Sequence, residues 1–149
     1  MGKNENLHKA KKAKNDEFYT RYEDIEKEVQ HYDLKGMRVY CPCDDFRRSN
    51  FVKYFKDNYE KLGITGLVAT NYDIGDGAWK YTYDGKTETA VKLEGDGDFR
   101  SEECTRIKDE ECDIVVTNCP FSLFRDFIYW LYDGTFHKNN EGKFVRDAK

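Results

Sequence analysis

Three short apolar runs alternate with segments of helical periodicity, and this alternation is the strongest constraint on the fold. The runs cover residues 37–41 (MRVYC), 66–72 (GLVATNY) and 113–118 (DIVVTN), and each contains β-branched side chains. Strands that alternate with helices are joined by crossover connections, which produce a largely parallel sheet with helices on both faces. The sequence therefore predicts an α/β domain.

Local patterns also predict helices and a hairpin. Apolar side chains recur at helical spacing in residues 15–32, 49–63 and 122–134. Ser49 is a candidate cap for the second of these helices. Residues 78–93 alternate as two antiparallel strands do, with a turn at Asp84-Gly85. Two of the three predicted helices thus follow a predicted strand.

Length, composition and cysteine usage limit the class of protein. The chain has 149 residues, of which 36% are charged and 15% are aromatic, and these values fit one folded, highly solvated domain. Five cysteines are an odd number without a repeating spacing, so we expect reduced thiols and no metal site. Because no window approaches the ~18 apolar residues of a membrane span and no secretory signal is present, we expect a cytoplasmic protein without a membrane partner.

The first residues differ in charge from the rest of the chain. Residues 3–14 (KNENLHKAKKAK) contain five lysines and one acid, whereas the whole chain has a formal net charge of -4. We therefore expect a mobile basic arm at residues 1–14 and a folded domain at 15–149. Such an arm suits contact with a phosphate backbone, although a solvated terminus without a partner explains the charge pattern equally well.

Polar residues follow each predicted core strand where it ends. Cys41–Asp45 follows the first strand, Asn71–Asp73 the second, and Asn118–Phe121 the third. Ligands of open α/β sheets bind outside the carboxyl ends of the strands, so these segments predict one shared site. Asp73 is a candidate acceptor for ribose hydroxyls, as in dinucleotide-binding folds.

Residues 117–128 (TNCPFSLFRDFI) resemble the NPPF-type motif of S-adenosylmethionine-dependent methyltransferases that act on amino groups. Flanking segments resemble, in content and order, the EcoRI-type adenine-specific DNA methyltransferases: residues 7–28, 39–55, 95–101 and 113–118. Members of that family are considerably longer than this chain. The resemblance implies a Rossmann-like methyltransferase fold, incomplete at the C-terminus, with residues 15–149 as a partial methyltransferase domain.

The resemblance assigns the catalytic motif to Asn118, Cys119, Pro120 and Phe121. The exocyclic amine of adenine is a poor nucleophile, so the Asn118 side-chain oxygen and the carbonyl of residue 119 would accept its two hydrogens and position it. Pro120 would give the strand a rigid exit, and Phe121 would stack on a base that has left the duplex. Cys119 stands where the family has proline, so the fixed φ of proline is lost. The alternative is a strand-ending turn with Phe121 in the core.

The same resemblance implies contacts to S-adenosylmethionine from Phe18, Thr20, Cys41, Asp44, Asp45, Asp98 and Phe99. The first two match a motif before the first strand. The loop after that strand matches the methionine side of the pocket, where an aspartate would accept from the α-amino group. Asp98 and Phe99 match the segment that contacts the adenine of the cofactor. Structural alternatives stay open, namely a helix start at Phe18, a cap at Asp45 or Ser49, and a tight turn at Asp98.

The function implied by the resemblance is that of a site-specific enzyme of restriction-modification type. It would transfer a methyl group from S-adenosylmethionine to the N6 amine of adenine in double-stranded DNA. One alternative is a catalytically silent relative that binds the cofactor or DNA, because Cys119 and the net negative charge are unfavourable for turnover on DNA. Another is a methyltransferase that acts on RNA or on a protein amide.

Overall fold

A computed structural model of the chain describes residues 20–117, 121–132, 136–138 and 144–146. The helices are α1 (Tyr22–Val29), α2 (Asn50–Asp57), α3 (Tyr59–Leu62), α4 (Glu102–Glu111) and α5 (Phe124–Leu131), with a 3-10 turn (Phe121–Leu123) before α5. The strands are β1 (Arg38–Cys41), β2 (Gly66–Thr70), β3 (Trp79–Tyr83), β4 (Glu88–Lys92), β5 (Ile114–Val115), β6 (Phe136–Lys138) and β7 (Phe144–Arg146). The predicted basic arm at residues 1–14 lies outside the described residues.

The main sheet has five strands in the order β4-β3-β2-β1-β5. β1 is parallel to both β2 and β5, and Val39 is in register with Leu67 on one side and Ile114 on the other. β3 is antiparallel to β2 and to β4. The α/β class is confirmed, but the expectation of a largely parallel sheet was wrong, because the hairpin extends the sheet instead of standing apart from it. β6 and β7 form a separate antiparallel pair that the sequence patterns did not predict.

Side chains alternate between the two faces of the parallel strands, and helices cover both faces. Val39 and Cys41 pack in a core cluster with residues of α1 and α2, such as Ile25 and Phe55. On the opposite face, buried side chains of β1, β2, α4, α5 and the segment before α4 form a second cluster: Tyr40, Val68, Phe99, Ile107, Phe127 and Trp130. The predicted helices on both faces are therefore confirmed.

Short-range signals located most elements correctly, with differences at their ends. Ser49 caps α2 as predicted, since its hydroxyl accepts from the backbone N–H groups of Phe51 and Val52 at 3.1 and 3.3 Å. The predicted 49–63 helix is broken at Asn58, where φ is -111°. The hairpin turns as predicted, because the Asp84 carboxylate accepts from two backbone N–H groups and Gly85 adopts a φ of +97°.

One predicted strand is shorter than expected, and one helix was not predicted. The strand predicted at residues 113–118 pairs with β1 only at Ile114 and Val115. The helix α4 was missed because its sequence (EECTRIKDEE) is mostly charged and buries only Cys104, Ile107 and Lys108. Its start was nevertheless marked, since the Ser101 hydroxyl accepts from the N–H of Cys104. Within the described ranges, no helix is long and apolar enough to cross a bilayer.

Candidate active site at the carboxyl edge of the sheet

The chain adds β2 on one side of β1 and later adds β5 on the other side. This arrangement creates a crevice between the carboxyl ends of β1 and β5. From β1 the chain passes through α2 and α3 to the neighbouring strand β2, and it later passes through α4 to β5 on the opposite flank of β1. The two helical connections pack on opposite faces of the sheet. The carboxyl ends of β1 and β5 therefore form a topological switch point, the usual place for a ligand in an open α/β sheet.

Asp44 is a fully buried charged side chain at this point, with no exposed surface. Its Oδ1 accepts from the Ser49 hydroxyl at 2.8 Å, and its Oδ2 accepts from the Thr117 hydroxyl at 2.5 Å. The N–H of Cys43 donates to the Thr117 hydroxyl at 3.0 Å. The N–H of Asp44 donates to the carbonyl of Thr70 at 3.0 Å. Asp44 thus joins the ends of β1, β2 and β5 to the start of α2.

Asp45 is also buried, but its partners are cations. Arg47 donates to both of its oxygens at 2.9 and 2.8 Å, and Arg48 adds a longer contact at 3.5 Å. Burial by itself raises the pKa of Asp45, but the side-chain and backbone hydrogen bonds from Arg47 outweigh it and hold the pKa below its ordinary value. Both arginines also contact Asp76 in the loop after β2. These ion pairs therefore link the loop after β1, which contains Asp45, to the loop after β2.

The loop after β2 is organised by its own polar side chains. Asn71 accepts from the N–H of Trp79 at 3.0 Å and donates to the carbonyl of Gly77 at 2.9 Å. Asp73 accepts from the N–H groups of Gly75 and Gly77 at 2.8 and 3.0 Å, and these bonds lower its pKa. The predicted acceptor for a ribose therefore lies at the carboxyl edge, where one of its oxygens caps its own loop.

The segment before α4 approaches this loop closely. The N–H of Asp73 donates to the carbonyl of Asp96 at 2.8 Å. Gly97 has a φ of +80°, and a Cβ at that position would overlap the carbonyl oxygen of Asn71. Only glycine satisfies both the backbone conformation and the contact. The predicted segments that follow β1 and β2 and that precede α4 are therefore brought together.

Asp98 and Phe99 have partners within the protein. Arg100 donates to both carboxylate oxygens of Asp98, and this pairing lowers the pKa of Asp98. The ring of Phe99 is buried and packs edge-on against Phe127 and Trp130, with centroid distances of 5.4 and 5.3 Å. A contact between these two side chains and the adenine of a cofactor stays a prediction.

Cys41 ends β1, and Thr20 directly precedes the segment that leads into α1. Cys41 is fully buried in the first core cluster, and burial raises the pKa of its thiol well above the ordinary value. The carbonyl of Thr20 accepts from the Asn50 side chain at 2.8 Å, which fixes the start of α1 against α2. Phe18, Asn118, Cys119 and Pro120 lie outside the described residues. Phe121 begins the 3-10 turn before α5.

An apolar groove of about 510 Å³ runs between α1 and β5. It reaches from Thr20 to Thr117 at the carboxyl edge, and Phe51, Ile114 and Val116 contribute apolar walls. Its volume is within the range of small-molecule sites. Within the part of the chain that the structure describes, no group of three His, Cys, Asp or Glu side chains is placed to hold a metal ion.

Thr117 and Thr70 were not among the predicted site residues, although both belong to the network. The Thr70 hydroxyl is bonded to the Tyr40 hydroxyl at 2.7 Å and donates to the carbonyl of Pro42 at 3.2 Å. A sequence signal existed for both, since each is a hydroxyl residue at the end of an apolar strand. That signal was too common to single them out.

Comparison with known proteins agrees with the motif order. A family model described as adenine-specific methyltransferase EcoRI matches residues 6–139. The type II methyltransferase M.EcoRI of Escherichia coli is 42% identical over 155 aligned positions, which cover 89% of this chain and 47% of that protein. Type II methyltransferases M.MpnI of Mycoplasma pneumoniae and M.MgeORF184P of Mycoplasma genitalium are 43% and 40% identical, each over 82% of this chain and 39% of the relative.

The chain thus spans about half the length, or less, of these relatives. No solved structure matches it significantly. The family match covers most of the chain, including every segment that meets at the carboxyl edge of the sheet. The chain belongs to the EcoRI family of adenine-specific methyltransferases.

Proposed function

We propose that this chain is part of a site-specific DNA methyltransferase of restriction-modification type. Its reaction is transfer of a methyl group from S-adenosylmethionine to the N6 amine of adenine in double-stranded DNA, in the cytoplasm. Residues 15–149 are a partial methyltransferase domain of Rossmann-like fold, and residues 1–14 are a basic arm that suits the DNA backbone. The family membership and the names of the type II relatives support this function.

One observation carries the proposal. The buried Asp44 carboxylate, in the loop assigned to the cofactor, is hydrogen-bonded to Thr117, the residue immediately before the motif Asn118. The two are 73 residues apart in the chain, so the link is a product of the fold and not of local sequence. A methyl donor held by the loop would therefore lie beside the residue that positions the amine.

The residues at the carboxyl edge fit S-adenosylmethionine. A carboxylate such as Asp44 matches the cationic α-amino group of the cofactor, and the groove that ends at Thr117 is large enough for a molecule of that size. Asp73 is the candidate acceptor for ribose hydroxyls, and Asp98 is the candidate acceptor for the adenine amine. When bound, the cofactor supplies an electrophilic methyl group on a sulfonium.

The motif residues act on the amine that receives the methyl group. Asn118 accepts one amine hydrogen through its side-chain oxygen, and the carbonyl of Cys119 accepts the other. These two acceptors direct the nitrogen lone pair towards the methyl group and favour the positive charge that develops as the bond forms. Phe121 stacks on the target base and offsets part of the cost of removing it from the duplex.

Cys119 favours a second candidate function, a module that binds the cofactor or DNA without turnover. The backbone carbonyl at residue 119 is kept, but the ring that fixes φ in the family motif is absent. A loosely held carbonyl aligns the amine less well, and small errors of alignment reduce rates strongly.

The test is transfer of tritiated methyl groups from S-adenosylmethionine to adenine-containing duplex DNA by the full chain. Asn118→Ala should lower the rate by about 10²–10³-fold because one of two amine acceptors is lost. Asp113→Asn, at the opposite end of β5, is the matched control and should leave the rate unchanged.

Other outcomes of this assay discriminate between the candidates. Asn118→Ala with the full rate would contradict the assigned mechanism. Cofactor binding without transfer, with transfer restored by Cys119→Pro, would identify the silent module instead. Label that enters RNA or protein and not DNA would identify the third alternative.

A further inference from the structure

The Thr117 hydroxyl is the contact between the cofactor loop and the strand that leads into the catalytic motif. It donates to Oδ2 of Asp44 at 2.5 Å and accepts from the N–H of Cys43 at 3.0 Å. Both partners belong to the loop after β1, whereas Thr117 itself follows β5. The backbone of the two strands is also joined here, since the N–H of Val116 donates to the carbonyl of Tyr40 at 3.0 Å.

We propose that Thr117 is a positioning residue for methyl transfer. Its hydroxyl orients the Asp44 carboxylate and joins the loop after β1 to the segment that follows β5. This inference rests on the proposed function, since it concerns the cofactor pocket and the motif of the same site. Thr117 is assigned no contact with the amine or the methyl group, so it acts through Asp44.

The chemistry of the contact requires a hydroxyl. One oxygen atom must accept from a backbone N–H and donate to a carboxylate at the same time, which a methyl group cannot do. Because Asp44 is fully buried, an oxygen that loses its donor is not compensated by bulk water. The Ser49 hydroxyl donates to the other oxygen, so loss of the Thr117 hydroxyl removes one of the bonds that orient this carboxylate.

A merely structural role for Thr117 makes a different prediction. Loss of one buried hydrogen bond would lower the melting temperature but would leave the affinity for S-adenosylmethionine unchanged well below that temperature. If Thr117 has a positioning role, loss of its hydroxyl lowers the affinity for S-adenosylmethionine even in the folded protein. The exchange rate of the Cys43 amide reports the same contact without any ligand.

The experiment compares the full chain with three variants by calorimetric titration with S-adenosylmethionine at a temperature at which all are folded. Thr117→Val keeps the shape of the side chain and removes the hydroxyl, and we expect about tenfold weaker binding and faster exchange of the Cys43 amide. Thr117→Ser restores the hydroxyl and should bind within about threefold of the wild type. Thr65→Val removes the hydroxyl that donates to the Gly36 carbonyl at 3.2 Å, at the amino edge of the sheet, and should bind like the wild type.

The outcomes separate this inference from the proposed function. A wild-type chain that gives no binding heat would refute the proposed cofactor pocket, and the inference would fall with it. A wild-type chain that binds, with Thr117→Val binding equally well, would overturn the inference alone. Equal weakening in Thr117→Val and Thr65→Val would also overturn it, because the effect would then be general destabilisation.

Discussion

β1 and β5 are tied together at both ends by a carboxylate, and the two ties are opposite in character. At the amino end, Arg38 and Asp113 form a bidentate ion pair with two N···O distances of 3.1 Å, and each side chain is more than two-fifths exposed. At the carboxyl end, the fully buried Asp44 is held by the Thr117 and Ser49 hydroxyls. The exposed Asp113 carboxylate is paired with a cation, Arg38. The buried Asp44 carboxylate accepts from neutral hydroxyls instead, and one of their residues, Thr117, lines the groove. The difference agrees with a structural role for the amino end and with the candidate site at the carboxyl end.

The largest expected effect concerns two glycines that share one backbone conformation. Gly97 at the carboxyl edge has a φ of +80° and Gly36 at the amino edge a φ of +79°. A Cβ at Gly36 meets no atom within 4 Å, whereas one at Gly97 overlaps the Asn71 carbonyl oxygen. We expect Gly36→Ala to cost about 1 kcal/mol in the free energy of unfolding, from backbone strain alone, and Gly97→Ala to cost about 3 kcal/mol or more.

Urea unfolding of the two variants measures this difference directly. Equal costs would show that the loop segments at the carboxyl edge are not in contact and would remove one basis for a shared site. A loss of structure in Gly97→Ala that is too great to measure would agree with the close approach, and unfolding of both alanine variants in a stabilising osmolyte would then give the ranking.

A smaller effect is expected from the two ion-paired aspartates, Asp45 near the carboxyl edge and Asp113 at the amino end. The pKa of each lies below its ordinary value; arginine bonds outweigh the effect of burial at Asp45, and the Arg38 side chain is the main cause at Asp113. A lowered folded-state pKa contributes stability that is complete above the unfolded value of ~3.9 and is lost as the pH falls through the folded value. Both contributions therefore vanish in acid.

Asp45→Asn should lower the free energy of unfolding by about 1–2 kcal/mol at neutral pH, because Arg47 and Arg48 lose a buried partner. Asp113→Asn should have a smaller effect that added salt reduces further, since the pair is exposed. Unfolding curves from about pH 7 to about pH 2.5 should show both variants converging with the wild type below about pH 4. A difference that persists in acid would mean that lost packing, and not the ion pair, causes the destabilisation.

Local patterns predicted what local interactions determine. The Ser49 cap and the Asp84-Gly85 turn are each made by residues within three positions of one another, and both were predicted correctly. The antiparallel pairing of β3 with β2 depends on side chains distant in sequence, so no local pattern revealed that the hairpin extends the sheet. The same limit applies to Thr117, which reaches Asp44 across 73 positions.

Candidate site residues were located by strand order and not by their final partners. Asp44, Asp45 and Asp73 do lie at the carboxyl edge, as the rule for open α/β sheets predicts. The sequence did not reveal that Arg47 pairs with Asp45, that Arg100 pairs with Asp98, or that Phe99 packs against Trp130. Aspartates with turn-forming neighbours look alike in sequence. Only the fold distinguishes an ion-paired aspartate such as Asp45 from one that accepts from hydroxyls, such as Asp44.

The central claim is that S-adenosylmethionine binds at the carboxyl edge and leaves the amino edge unaffected. Amide hydrogen exchange with and without the cofactor tests it most directly, because hydrogen-bonded amides exist at both edges. The amides of Cys43, Asp44 and Asp73 report the carboxyl edge, and those of Gly36 and Asp113 report the amino edge. We expect slower exchange with cofactor at the first three amides and no change at the other two. Equal slowing at both edges, or slowing at the amino edge alone, would contradict it.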